Sequence, residues 1–355
     1  ATGLLAVLLF STARAETADA LLRVHGGWEE VDAGRVLKQE FRFANDLVTY
    51  GLDYSVEIPE GTPLGKCVPR GDQARGKLIA LGMSSPAKPN WYYQSFIGIT
   101  LDGTSLHDIP GEFREVRQFG PDTLLEGMWV TPKGPVYLRL LLRSRDDKLL
   151  VQVALGPETA ADRLEVSLSA YPQGFDQPRN RRLATAVRDV EAPASVVLDK
   201  AKERWALLYD ELLQRRKTAA GPCGVVYVPD ELDAAVLGLG PYNVRTTFRG
   251  KPGGRQITLG VWDFTPQHEA EPVRRYLVES GPTIAADLAL LAKTDWLAGP
   301  VPVTRLTASR AEQLAKAAQA RRRPTPFDEM TNTVVTPHVA WAKPLPAGPV
   351  RLLVI

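Results

Sequence analysis

Between about residue 50 and residue 170, apolar side chains recur at every second position. Leu52, Tyr54, Val56 and Ile58 share one face, with Asp53, Ser55 and Glu57 on the other. Val136, Leu138, Leu140 and Leu142 alternate with Tyr137, Arg139 and Arg143, and Leu149, Val151, Val153 and Leu155 follow. Leu164, Val166, Leu168 and Ala170 then alternate with Glu165, Ser167 and Ser169. A period of two belongs to strands with one face in a core and one in water. Asp102-Gly103, Pro132-Lys133-Gly134, Arg145-Asp146-Asp147-Lys148 and Gly156-Pro157 supply turns between these runs. Strands joined by a few turn residues, with no helix between them, predict antiparallel meanders in a sandwich or barrel.

From Asp199 to Lys217 the pattern changes. Ala201, Trp205, Leu208 and Leu212 lie at helical spacing, yet Trp205-Ala206-Leu207-Leu208-Tyr209 fits a short buried strand equally well. Strand patterning resumes at Val225–Val228, Val244–Phe248 and Ile257–Phe264, and the turn Gly250-Lys251-Pro252-Gly253-Gly254 predicts a hairpin joining the last two. The expected fold is mainly β: one large antiparallel β-sandwich over 20–265, with a small C-terminal helical segment. Helices are expected at 268–298 and 308–323, within a helical appendage and linker spanning 266–343. Thr307-Ala308-Ser309 caps the second helix and Pro324 ends it; Arg321, Arg322 and Arg323 complement the dipole of its last turn.

The two ends carry different signals. Leu4 to Phe10 is a short apolar run before Ala13-Arg14-Ala15, which reads as the end of a secretory signal peptide over 1–15 and predicts export. Pro344 to Pro349 has linker composition, and Val350 to Ile355 reads as the first strand of a further domain that the sequence cuts short. Composition is that of an ordinary globular protein, 44% hydrophobic and 24% charged. With 43 basic and 41 acidic residues, no bulk field exists to hold nucleic acid, and no apolar stretch is long enough for a transmembrane helix. Cys67 and Cys223 either close one long loop or stay as separate buried thiols.

Motifs of the common reaction classes are missing. Gly82-Met83-Ser84-Ser85-Pro86 lacks the second Gly of a nucleophile elbow, and Pro272 stands where a zincin motif begun by His268-Glu269 needs its second His. There is no P-loop and no dinucleotide fingerprint; with four His and two Cys, neither a metal site nor a cofactor is expected.

What the chain does carry is aromatics mixed with carboxylates. Trp91, Tyr92 and Tyr93 open a strand, and Asp102 and His107 follow in the next loop. Tyr171, Phe175-Asp176 and Trp262-Asp263 lie near strand ends. Sugars stack their apolar faces on flat rings while their hydroxyls pair with polar groups, so Trp91, Tyr92, Tyr93, Asp102, His107, Asp176 and Asp263 are the candidate ligand-binding residues. The competing fate of a tryptophan is the core. Asp263 continues the parity of Ile257, Leu259 and Val261, so it is expected to point inward.

The stretch Trp91-Tyr92-Tyr93-Gln94-Ser95-Phe96, then Leu101 to Leu106, then the meander ending Tyr171-Pro172-Gln173-Gly174-Phe175, resembles the large β-sandwiches of exported bacterial polysaccharide-handling proteins. The nearest fold is the galactose-mutarotase-like supersandwich, over roughly residues 20–265. No motif around His25, His107, His268 or His338 matches the mutarotases' paired catalytic His and Glu. The resemblance therefore implies a carbohydrate-recognition or scaffold domain of a larger cell-envelope protein, with a glycan as ligand. Two alternatives stand beside it: a polysaccharide hydrolase or lyase using carboxylates, or Tyr and Arg, on the concave face, and a structural domain positioning a catalytic one.

Overall fold

A computed structural model describes residues 20–298, except 32–33, 46, 60–77, 86, 88, 92–95, 110, 120–121, 145, 217–218 and 266. The chain divides into two units, Ala1–Arg305 and Leu306–Ile355, and every described residue belongs to the first. The signal peptide, Cys67, Tyr92, Tyr93, the helix expected at 308–323 and the C-terminal strand lie outside the described residues.

The chain opens with strands β1 (Leu21–Val31), β2 (Gly34–Ala44), β3 (Thr49–Pro59) and β4 (Leu78–Ser85), paired in that order as a four-stranded sheet. Strands β5 (Ile97–Leu101), β6 (Thr104–Ser105), β7 (Gly111–Phe119), β8 (Asp122–Thr131) and β9 (Gly134–Leu142) follow. Next come β10 (Lys148–Leu155), β11 (Leu164–Ala170), β12 (Arg181–Ala184), β13 (Asp189–Glu191) and β14 (Ala194–Val197). The last strands are β15 (Trp205–Asp210), β16 (Cys223–Tyr227), β17 (Leu232–Leu239), β18 (Val244–Gly250) and β19 (Gln256–Asp263), before helix α1 (Ala270–Leu291). One sheet has nine strands, ordered β13-β12-β15-β16-β19-β10-β9-β8-β7, and another has six, ordered β14-β17-β18-β11-β5-β6; every described pairing is antiparallel.

The main core gathers side chains from all three sheets: Leu138, Leu140, Val151 and Val261 of the nine-stranded sheet, Ile99, Val166 and Phe248 of the six-stranded one, and Phe43, Tyr50 and Leu52 of the four-stranded one. The fold is thus mainly β, with a single α-helix among the described residues. That helix is the reason the nine-stranded sheet loses its clean alternation. Val273, Leu277, Ile284, Leu288 and Leu291 form a stripe packed on Leu141, Leu150, Trp205, Leu207, Val226 and Trp262, the sheet's other face. Strands buried on both faces read as continuous apolar runs. Trp205–Asp210 is therefore a strand, and the helical spacing there comes only from a run with no polar face. No helix among the described residues is long and apolar enough to cross a membrane.

One expected element is corrected. β18 and β19 do not form a hairpin: β18 pairs with β17 and β11, whereas β19 pairs with β10 and β16 in the other sheet. Their burial shows why. β18 alternates between core and solvent, with Arg245 and Arg249 outward, while β19 is buried along almost its whole length. The glycine-rich link crosses between layers, held by Lys251 N–H donating to Glu231 O at 3.1 Å and Gly253 N–H to Asp162 O at 3.0 Å.

Candidate functional site

Loop 171–180, after β11, and the turn Gly240-Pro241-Tyr242-Asn243, between β17 and β18, meet at one end of the six-stranded sheet. Arg181, the first residue of β12, fastens them together. Its guanidinium donates to Pro172 O, to Gly174 O at 2.6 Å and to Tyr242 O at 3.1 Å. It also pairs with Asp210 at 3.2 Å, both side chains fully buried. Asp210 is satisfied further by the N–H groups of Asn180, Leu212 and Leu213 at 2.9–3.0 Å. Burial lowers the Arg181 pKa, and the Asp210 charge works against that shift.

Gln173 makes the second fastening. It sits at φ +64°, and its side chain accepts from Asp210 N–H at 2.8 Å and donates to His268 O at 2.8 Å and Ala220 O at 3.2 Å. Its own N–H donates to Asn90 Oδ1 at 2.8 Å, and Asn90 Nδ2 donates to Gly221 O at 2.9 Å. Asp263 closes this polar interior: its carboxylate accepts from Ala87 N–H at 3.1 Å and Thr265 N–H at 3.0 Å. Burial pushes the Asp263 pKa up to about 6, with hydrogen bonds from Thr265, Asn90 and Ala87 pulling against it. Beside it Cys223 is a free, buried thiol 3.7 Å from Asn90 O, its pKa raised well above the usual value by burial first and by Asp263 second.

Above this scaffold lies a cluster of rings. Tyr171 meets Phe175 at 5.0 Å between centroids and Tyr242 edge-on at 4.8 Å. Phe175 is 36% exposed and Tyr242 42%; they are the aromatic members of the exposed large apolar side chains among the described residues. The Arg179 guanidinium lies over the Tyr242 ring at 4.3 Å and donates to Phe175 O at 2.8 Å and Pro241 O at 3.0 Å. On the other flank Arg216 pairs with Asp176 at 3.3 Å and donates to Gln177 O at 2.5 Å. Flat rings, a carboxylate and guanidinium groups are thereby held together on backbone fastened by these hydrogen bonds.

A separate cleft of about 290 Å³ opens between β13, β15 and the start of α1, lined by Asp189, Tyr209, Gln214, Arg215, Glu269 and Arg274 among others. Its polar groups are largely committed to each other. Asp189 accepts from Tyr209 Oη at 2.7 Å, Arg182 Nε at 2.9 Å and Arg274 Nη1 at 3.4 Å, and Gln214 Oε1 accepts from Ala270 N–H at 2.9 Å. Burial and the Asp189 carboxylate push Tyr209 up to about 12, away from the range a general base needs.

The residues singled out in the sequence are dispersed. Trp91 is fully buried and its Nε1 donates to Trp262 O at 2.7 Å, so it presents no ring face to solvent. The other tryptophans with described side chains, Trp129, Trp205, Trp262 and Trp296, are buried as well. Asp263 points inward as its parity predicts and joins Asn90 and Gln173 beneath the rings. Asp176 is exposed and flanks the rings. Asp102 and His107 lie elsewhere: Asp102 accepts from Arg163 N–H at 2.7 Å, at the start of β11, whereas Tyr171 follows its end. The eight residue steps from Arg163 to Tyr171, at ~3.3 Å each, put those points about 26 Å apart. Asp102 (φ 47°) and Gly103 (φ 83°) form the tight turn from β5 to β6, and the Lys133 ammonium beside Asp102 holds its carboxyl below the usual range. His107 is exposed on a short 3-10 turn.

No family model matches the chain, and no curated protein does. Among solved structures, the galactosidase domain of an α-galactosidase–sucrose kinase matches with a TM-score of 0.35 and 11% identity, over 62% of this chain and 40% of that one. The α-N-acetylgalactosaminidase NagBb of Bifidobacterium bifidum matches with 0.38 and 12%, over 75% and 41%. The α-galactosidase AgaB of Geobacillus stearothermophilus matches with 0.30 and 10%, over 63% and 40%. The chain spans about two fifths of the length of each, and with every TM-score below 0.5 the likeness is partial.

Tyr242, Arg179, Arg181 and Arg216 were not legible as a group in the sequence. The available signal was an aromatic in the turn Gly240-Pro241-Tyr242-Asn243, outside any strand period. Nothing local separates the buried Arg181 from its neighbours Arg179 and Arg182, because the difference arises only when loop 171–174 folds over it.

Proposed function

We propose that this chain is a non-catalytic carbohydrate-recognition domain of a larger exported cell-envelope protein, with its glycan site on the Tyr171–Phe175–Tyr242 cluster. The observation that carries the reading is the pair of exposed rings, Phe175 and Tyr242, set beside Asp176 and Arg179. Apolar ring faces take the C–H faces of a sugar, while charged groups at the rim take its hydroxyls. Export rests on the Leu4–Ala15 pattern. The test is a glycan-array assay of the full chain beside Tyr242→Ala; binding lost in a folded variant supports the site, and no binding to any glycan by the unaltered protein rejects it.

A polysaccharide hydrolase or lyase is the second reading, favoured by the cleft that gathers the carboxylates of Asp189 and Glu269 beside Arg274. Release of unsaturated or reducing ends from a polysaccharide, lost in Asp189→Asn, would move the function there.

A further inference from the structure

We infer that the glycan recognised at the ring cluster is anionic, carrying carboxylate or sulfate groups; this rests on the glycan reading above and adds the substrate class. Arg179 decides the matter. Its guanidinium is ion-paired with no carboxylate among the described residues, and its protein partners are neutral: the Phe175 and Pro241 carbonyls, the Tyr242 ring and, once its amide is turned, Gln177 Oε1. A cation placed over a ring and held by neutral acceptors keeps its charge without cancelling it. Arg181, buried below, is already neutralised by Asp210, so Asp210 is not left over to balance Arg179.

A second uncompensated cation continues the site. Arg245, three residues beyond Tyr242 and the second residue of β18, is exposed and has as its described side-chain partner only the neutral Ser167 Oγ at 3.3 Å. Immediately around it on this strand face stand small residues, Ser167 and Ser169 on β11 and Gly238 on β17, with Thr247 on β18 and Val236 on β17 beyond. An extended chain that leaves the rings toward Arg245 would meet Ser169 and Gly238, the residues paired beside it. The carboxylate at the rim, Asp176, is held by Arg216, so the uncancelled charge at this end is positive. Arg179 commits its Nε and Nη1 to carbonyl oxygens and so acts on an anion chiefly as a charge, whereas the planar guanidinium of Arg245 can present paired N–H donors to carboxylate or sulfate. A neutral sugar would meet these groups only as hydrogen-bond donors, whereas an acidic one would also be drawn by their charge.

The experiment is calorimetric titration of the full chain with three probes of equal length: an oligogalacturonate, a sulfated galacto-oligosaccharide and a neutral galacto-oligosaccharide. Each is run at low and at high salt, with Arg179→Gln and Arg245→Gln alongside. The expected result is binding of at least one acidic probe, ten-fold or more tighter than the neutral one and weakened by salt. Each substitution should reduce that affinity about ten-fold, and the arm that binds identifies carboxylate or sulfate as the group read. Arg245→Gln alters an exposed strand position, so it keeps the test sound if Arg179→Gln disturbs the loop. Equal binding of the neutral probe, or acidic binding unchanged in both variants, overturns the anionic assignment while leaving the glycan site standing. Failure of every probe overturns the anionic assignment, and overturns the glycan site as well if the array of glycans also stays blank.

Discussion

The Trp205 indole lies against the α-carbon of Gly281, so close that a Cβ on residue 281 would fall 2.6 Å from its Nε1 and Cδ1. This contact seats α1 on the outer face of the nine-stranded sheet, where Trp205 is 3% exposed. Glycine costs a helix interior about 1 kcal/mol relative to alanine, so propensity alone favours Gly281→Ala. The approach to a rigid ring opposes it, since overpacking typically costs about 1–3 kcal/mol. The clash should win: Gly281→Ala is expected to lower the urea midpoint with little change in slope. A raised midpoint would mean that the helix shifts freely on the sheet.

Asp263 gives stability a pH dependence of its own. Its carboxyl moves from an ordinary 3.8 to about 6 in the folded chain, because burial penalises the charge. Between those values the native state keeps a proton that the unfolded chain has released, so this group's contribution falls as pH rises and its deficit is complete above pH 6. The full effect is about 3 kcal/mol. Asp263→Asn removes the titration, and its stability relative to the unaltered protein should improve by up to that amount from pH 4 to pH 7. Urea melts of both proteins across that range check it; a constant difference would show that Asp263 is ionised throughout.

Parity was the part of the fold that could be read in advance, and only where one face of a strand meets water. Leu164 to Ala170 shows it plainly, because the outer face of the six-stranded sheet is open and carries Glu165, Ser167 and Ser169. Trp205 to Tyr209 does not, because α1 covers that face and no polar position remains to mark the period. Layer assignment was not legible either. The Gly250–Gly254 segment has the composition of a hairpin turn, and only the burial of β19 on both faces sends it across to the other sheet. The site followed the same rule: Phe175, Asp176 and Arg179 share one loop, but Tyr242 reaches them only through pairing of β11 with β18.

Arg181 is the fastening most exposed to a test. Replacing it by methionine leaves Asp210 charged and buried with only backbone donors, a loss of about 3–5 kcal/mol. Arg181→Lys restores the charge but not the planar set of donors that reaches Pro172, Gly174 and Tyr242, so it should fall between the two. Guanidinium-chloride midpoints at pH 7 rank the three proteins. If lysine matches arginine, the carbonyl contacts contribute little and charge alone holds the loop.

Because the ring cluster sits on the outside, its removal should separate binding from folding. Phe175→Ala and Tyr242→Ala each take away a ring that is more than a third exposed. Loss of one stacking contact of about 1.4 kcal/mol weakens a complex about ten-fold. Thermal midpoints should move little, since neither side chain fills the main core. Trp91→Ala makes the contrast: that ring is wholly buried and bonded to Trp262 O, so its loss should cost about 3–5 kcal/mol in stability. Affinity electrophoresis in glycan-loaded gels, paired with thermal melts, reads both quantities on the same variants. Retarded migration that survives in Phe175→Ala and Tyr242→Ala, both fully folded, would move the binding site off this end of the sandwich.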